Sequence, residues 1–270
     1  MTFPSSSGPH DGGSAKTVIF IAGAEGSGTT LLQRLLSAPP RCASLGPMHS
    51  KLPEREQAAA LATAFERSNA ELWDQQTSLD RHEAARRELF STTQDILSSD
   101  AFSTTTHLVL KRSFPFGHPH GRRSPDLFDV LDLPGDVRIV SVYRDPCAAT
   151  YSAYRRGFDD DLRRLARSCA DSLVRLAAQT SVVDPSRLIQ VSYARLCRQP
   201  ALVLGELGKF CGLHDAELQD ALATERLIPE ADMRYASELS PSEVGWLQTY
   251  FSPERRRQWL ALTGQDQTSR

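Results

Sequence analysis

Cysteine is scarce in this chain, and what there is does not pair by spacing. Cys42, Cys147, Cys169, Cys197 and Cys211 are odd in number, and none stands in a C-x-x-C arrangement. That argues against a disulfide scaffold or a zinc site and fits a reducing, cytoplasmic setting. No run of 18 apolar residues occurs, so a hydrophobic membrane-spanning helix is excluded. Residues 1–16, MTFPSSSGPHDGGSAK, lack the apolar stretch of a secretory signal and are expected to form a flexible tail ahead of one domain at 17–270. An excess of positive charge is missing too: the formal net charge is −2, which disfavours a bulk nucleic-acid binder or a basic membrane-surface protein. Lysine itself is rare. Of 31 basic residues only Lys16, Lys51, Lys111 and Lys209 are lysine, so a lysine at a motif position carries weight. What remains is a chain of 270 residues, 40% hydrophobic, long and apolar enough to build a proper core.

The run Thr17–Ala22, TVIFIA, reads as a buried strand, and TTLLQRLLS at Thr29–Ser37 reads as a helix stopped by Pro39 and Pro40. Residues 54–98 look helical. Further strands are expected at His107–Lys111, Val137–Tyr143 and Leu188–Val191. Leu162, Leu165, Cys169, Leu173 and Leu176 recur at steps of three and four, the pattern of an amphipathic helix, with Asp159, Asp160 and Asp161 at its N-terminal end. Helices are also expected at 200–212 and 241–262, the second opened by the capping box Ser240-Pro-Ser-Glu243. Strands separated by long helical stretches predict a single-domain, three-layer, P-loop-like α/β fold, with a mostly parallel central sheet flanked by helices.

The segment from Gly23 to Thr30, GAEGSGTT, joins the first strand to the first helix. Glycines let the backbone wrap closely around an oxyanion, and the amides and dipole of a helix N-terminus attract it. The spacing is that of a Walker A loop, but Thr29 stands where the lysine belongs. Nor is a metal expected. Later strands end in cations, Lys111-Arg112 and Arg144, and Asp145-Pro146 reads as an N-cap and first helical residue in preference to a Mg²⁺ ligand. Cations at strand carboxyl ends point at the ligand crevice of an open α/β sheet, where side chains neutralise a polyanion.

Three segments taken in order give these features a family. GAEGSGTTLLQRLL resembles the 5′-phosphosulfate loop of sulfotransferases that use 3′-phosphoadenosine 5′-phosphosulfate (PAPS). RIVSVYRDPCAATYSAY resembles their 3′-phosphate motif, with Arg144 at the strand end and Ser152 eight residues later. VSYARLCRQPALVLGELGKFCGL resembles the segment that carries a Tyr after a strand, then a Pro and an apolar helix; here the Tyr is Tyr193. The resemblance implies direct transfer of a sulfuryl group from PAPS to a hydroxyl or amine of a small-molecule acceptor, leaving 3′,5′-ADP. It places Gly26, Ser27, Gly28, Thr29, Thr30, Arg144, Ser152 and Tyr193 around the donor, with Arg234 as a late arginine for the 3′-phosphate. A P-loop kinase and a catalytically degenerate nucleotide-binding protein are the alternatives.

Two positions depart from the family pattern. Many members carry Lys or Arg where this chain has Gly26, and cytosolic members carry a catalytic His where KRSFP puts Ser113. Lys111 is therefore the expected electrophile, with Arg34, Arg122 and Arg123 behind it, and the general base must lie elsewhere. His49 in SLGPMHS is the first candidate, His118 with His120 the second, and Glu25 the third. His107 reads as an edge residue. Arg255-Arg256-Arg257 reads as a solvated charge run and Trp73, Trp246 and Trp259 as core.

Overall fold

A computed structural model of the chain describes residues 16–45, 50–53, 56–72, 79–114, 127–225 and 227–262. Its centre is a five-stranded sheet. The strands are β1 (Thr17–Ala24), β2 (Cys42–Leu45), β3 (His107–Phe114), β4 (Asp136–Tyr143) and β5 (Leu188–Ser192), in the order β2-β3-β1-β4-β5. Every pairing is parallel, so the sheet is wholly rather than mostly parallel. Parallel strands need crossovers, and the helices supply them: α1 (Thr29–Ser37), α2 (Glu56–Leu72), α3 (Leu79–Ser98), α4 (Leu127–Leu131), α5 (Pro146–Arg155), α6 (Leu162–Thr180), α7 (Tyr193–Arg198) and α8 (Pro200–Cys211). The chain closes with α9 (Asp215–Thr224), α10 (Arg234–Glu238), α11 (Pro241–Tyr250) and α12 (Pro253–Leu262).

Side chains of β1 alternate between two cores, as strand geometry requires. Val18, Phe20 and Ala22 pack with Phe65 of α2 and Leu89 and Ile96 of α3. Ile19 and Ile21 pack with Leu32, Leu35 and Leu36 of α1 and Leu204 and Leu207 of α8. A third cluster joins Ala24 to α5, α6 and α11 through Cys147, Leu173, Leu247 and Phe251. Burial on both faces explains why β1 reads as an unbroken apolar run.

Several boundaries differ from the sequence reading, each for a local reason. Pro253 lacks an amide hydrogen and divides the helix expected at 241–262 into α11 and α12. Within the region read as helical, 54–98, the described residues form α2 and α3. β3 runs to Phe114, so Lys111 lies inside a strand, opposite Ile21 of β1, and not at its end. Lys16, assigned to the tail, donates from Nζ to the Phe102 carbonyl at 3.0 Å. The caps follow expectation: Asp145 accepts from the Ala148 amide at 3.0 Å, Asp161 from Arg163 at 2.8 Å, and Ser240 and Glu243 form the capping box.

Candidate active site

The sheet's order turns at β1: β3 and β2 lie to one side and β4 and β5 to the other. In open parallel sheets the ligand crevice forms at the carboxyl ends of the strands beside such a turn. The glycine loop leaves β1 at that place. Two of its glycines have positive φ, 79° at Gly26 and 98° at Gly28. Contact compounds conformation there. A Cβ on Gly26 would lie 2.1 Å from the Ala149 carbonyl of α5, and one on Gly28 would lie 2.4 Å from the Tyr193 ring. The family's usual cation before Ser-Gly-Thr therefore has no room in this chain.

The loop presents polar groups with open valences. Helix α1 has no side-chain cap and no acidic residue in its first turn, the kind of helix start whose dipole favours an anion. Ser27 is buried, and its hydroxyl has no hydrogen-bond partner among the described residues. From the neighbouring strand Lys111, only 6% exposed, donates from Nζ to Thr30 Oγ1 at 3.0 Å. The positive charge missing from the loop's own sequence is thus delivered laterally, from β3 to the start of α1.

Arg144 follows β4 and is 5% exposed. Its Nε donates to Asp232 Oδ1 at 2.6 Å, its Nη1 donates to the Gly26 carbonyl at 2.8 Å, and its guanidinium lies 4.3 Å from the centroid of the Tyr193 ring. Tyr193 opens α7 and fills the space beside Gly28; burial pushes its phenol up to about 12, although Arg144 pulls the other way. Ser152 is half-buried, on the face of α5 that meets Gly26. The loop, Arg144, Ser152 and Tyr193 are therefore one packed group. Asp232, which neutralises Arg144, carries no local sequence signal and was missed.

Other expected site residues fall elsewhere. Arg234 begins α10, two residues after Asp232. Its charge, with that of Arg155, acts on Tyr151, whose hydroxyl donates to Glu238. Glu25 lines a small cavity between α5 and α6 with Thr150 and Cys169. Arg34 forms a bidentate pair with Glu225 at 2.7 and 2.8 Å. His107 begins β3, at the amino end of the strands, with Nε2 3.0 Å from the Cys211 carbonyl. Burial is the main cause that holds its imidazole below the usual range. His49, His118, His120, Arg122, Arg123 and Trp73 lie outside the described residues, as do the side chains of Ser113 and Trp259. The triple arginine is not a uniform solvated run: Arg256 pairs with Asp145 at 2.9 Å, tying α12 to the start of α5.

The model of the sulfotransferase family matches residues 18–217. The chain belongs to the sulfotransferase family. That match takes in the loop, Arg144, Ser152 and Tyr193, and it supports the sulfotransferase reading over the kinase one. No curated protein matches the chain in sequence. Among solved structures, the fold is similar to the sulfotransferase domain of the olefin synthase of Synechococcus PCC 7002, at 18% identity and a TM-score of 0.56, over 90% of this chain and 97% of that one. It is similar as well to the sulfotransferase domain of the curacin biosynthetic pathway, at 17% identity and a TM-score of 0.55, over 88% and 98%. The sulfotransferase of Alicyclobacillus acidocaldarius gives 20% identity and a TM-score of 0.52, over 94% and 98%. These likenesses establish the fold of this sulfotransferase.

Proposed function

We propose that this sulfotransferase uses PAPS as donor, passes its sulfuryl group to a hydroxyl or amine of a small-molecule acceptor, and releases 3′,5′-ADP. The observation that carries this reading is the Lys111–Thr30 contact at the mouth of a loop with open polar valences. The residues present fit a phosphosulfate: an uncapped helix start, the buried and unpartnered Ser27 hydroxyl, and two glycine positions that no side chain can occupy. PAPS supplies a sulfuryl group on an oxygen that leaves with the nucleotide.

The chain's own residues have distinct parts in this reading. Amides and hydroxyls from Gly26 through Thr30 receive the 5′ end. Lys111 adds a cation toward the oxygen on which negative charge develops, and a preorganised donor there lowers the barrier. Arg144, braced by Asp232, holds the Gly26 carbonyl in place, and with Ser152, Tyr193 and Arg234 it shapes the seat for the 3′ end. The acceptor's proton is assigned to His49, with His118 the second choice. A reducing, cytoplasmic setting suits five buried, unpaired thiols.

The test is transfer of label from sulfur-labelled PAPS to a panel of phenols, alcohols, sugars and amines, run beside calorimetric titration of the enzyme with 3′,5′-ADP. Labelled product and nucleotide binding are expected. Failure of both would sink the proposal.

A further inference from the structure

Two buried threonines of the longer helices spend their hydroxyls on the backbone. Thr93 of α3 donates to the Leu89 carbonyl at 2.7 Å and Thr180 of α6 to the Leu176 carbonyl at 2.8 Å, each four residues back. Thr150 of α5 does not. It is 1% exposed, and its hydroxyl has no hydrogen-bond partner among the described residues. A buried hydroxyl left unmet carries its full desolvation cost, so a partner is expected beside it.

Thr150 lines a small cavity between α5 and α6, and the glycine loop reaches the same cavity through Glu25. Ser168, Cys169 and Ser172 of α6 complete its polar lining. Ser172 donates to the Ser168 carbonyl at 2.7 Å, and a hydroxyl that donates in this way can still accept. The charge of Glu25 is felt across the cavity. Burial pushes the Cys169 thiol up to about 12; the Thr150 hydroxyl, which faces it without hydrogen-bond geometry, works the other way, and the charges of Asp145 and Glu25 add to the rise. Size decides what can join these groups. The cavity offers about 10 Å³ to the centre of a water-sized sphere. One water needs ~10–15 Å³ on that measure, so an organic ligand or a hydrated ion does not fit.

We infer that this cavity binds a single structural water, which accepts from the Thr150 hydroxyl and donates to the Glu25 carboxylate, and that Glu25 is thereby a positioning residue of the glycine loop. With its second hydrogen on the Ser172 oxygen, the water makes the three bonds usual for a buried one. The bridge ties the residue before Gly26 to the residue after Ala149, whose carbonyl already packs on Gly26. Glu25 then steadies the loop and takes no proton from the acceptor. A carboxylate in a ligand loop reads as a base along the chain; only the packing of α5 and α6 beside the loop gives it this other part.

The test has two arms. A crystal structure of the full chain should show one water within about 3.2 Å of both Thr150 Oγ1 and a Glu25 carboxylate oxygen. A dry cavity, or a cation in place of the water, would overturn the inference. The second arm titrates 3′,5′-ADP into the parent, Thr150→Val, Thr150→Ser, Glu25→Leu and the double variant Glu25→Leu/Thr150→Val, beside their melting temperatures without nucleotide. This arm rests on the PAPS reading above; the first does not. Thr150→Val and Glu25→Leu should each weaken 3′,5′-ADP about three- to tenfold, the scale of one hydrogen bond. Thr150→Ser, which keeps the hydroxyl, should stay within about twofold of the parent. Because one water serves both side chains, the double variant should lose no more than the worse single one. Losses that multiply, or lower melting temperatures with unchanged affinity, would overturn the positioning role. A parent chain that binds no 3′,5′-ADP would bring down the donor reading alone; the crystal structure and the same cycle read in denaturant would still judge the water.

Discussion

The Lys111 ammonium lies 3.0 Å from the Thr30 hydroxyl, a bond that joins the third strand to the first turn of the first helix. It supplies a cation where Gly26 leaves no room for one. Lys111→Ala should lower turnover by ~10²-fold or more, the scale for removing one preorganised donor to a developing oxyanion. Donor affinity should fall less. Lys111→Arg should rescue only in part, because a planar fork places charge differently from a compact ammonium. Steady-state and titration data on the two variants check this, and near-parental turnover in a folded Lys111→Ala protein refutes the assignment.

The donor site should distinguish nucleotides without added metal. At a hundred times its Kd, 3′,5′-ADP should stabilise the fold by ~2.7 kcal/mol, visible as a raised melting temperature. ATP should give no comparable shift without Mg²⁺. Stabilisation by ATP–Mg²⁺ alone would contradict the donor assignment.

Asp232 should matter although it lies far from the loop in sequence. Asp232→Ala leaves Arg144 buried without its carboxylate, and breaking a buried pair costs about 3 kcal/mol or more. Chemical denaturation should show that loss with no nucleotide present. Binding of 3′,5′-ADP should weaken too, since Arg144 holds the Gly26 carbonyl at 2.8 Å. A variant as stable as the parent would mean that Arg144 does not depend on Asp232.

Gly28 should tolerate no side chain. Its φ is 98° and the Tyr193 ring occupies the site of a Cβ, 2.4 Å away. Gly28→Ala should destabilise by about 1–3 kcal/mol through backbone strain, with the collision added. The double variant Gly28→Ala/Tyr193→Ala should remove the collision and retain the strain. Additive losses in denaturant titrations would show that ring and loop do not touch.

The cysteines should be inert in the folded enzyme. Burial pushes the Cys42, Cys147, Cys169 and Cys211 thiols up to about 12 and raises Cys197 as well. A raised thiol pKa means less thiolate. At pH 8 the four carry roughly 10³-fold less of it than ordinary cysteines do. An aromatic disulfide reagent should label them only after denaturation; fast labelling of the native protein would show that the cores are open.

Much of the scaffold was legible because it rests on local rules. β1 alternates its side chains between two cores and so reads as an unbroken apolar run. The Asp145, Asp161 and Ser240 caps are short patterns whose hydrogen bonds span two or three residues. Glycines between a strand and a helix mark a tight connecting turn, seen here with positive φ at Gly26 and Gly28, because its geometry needs no distant partner. Strand ends were less legible. The extension of β3 to Phe114 is fixed by pairing with β1 across the sheet, which its own residues do not encode.

By itself the sequence determined the fold class, the loop and the family, since each depends on residue types at fixed local spacings. Tertiary structure alone decided how charge is allotted among those residues. Which arginine is neutralised, Arg144 by Asp232 or Arg34 by Glu225, depends on contacts between positions 88 and 191 residues apart. Which cation reaches the loop depends on the register that sets Lys111 opposite Ile21. Coulomb attraction and burial act through space, so Arg34, half in solvent with Glu225, and Arg144, buried with Asp232, look alike along the chain and part company only when it folds.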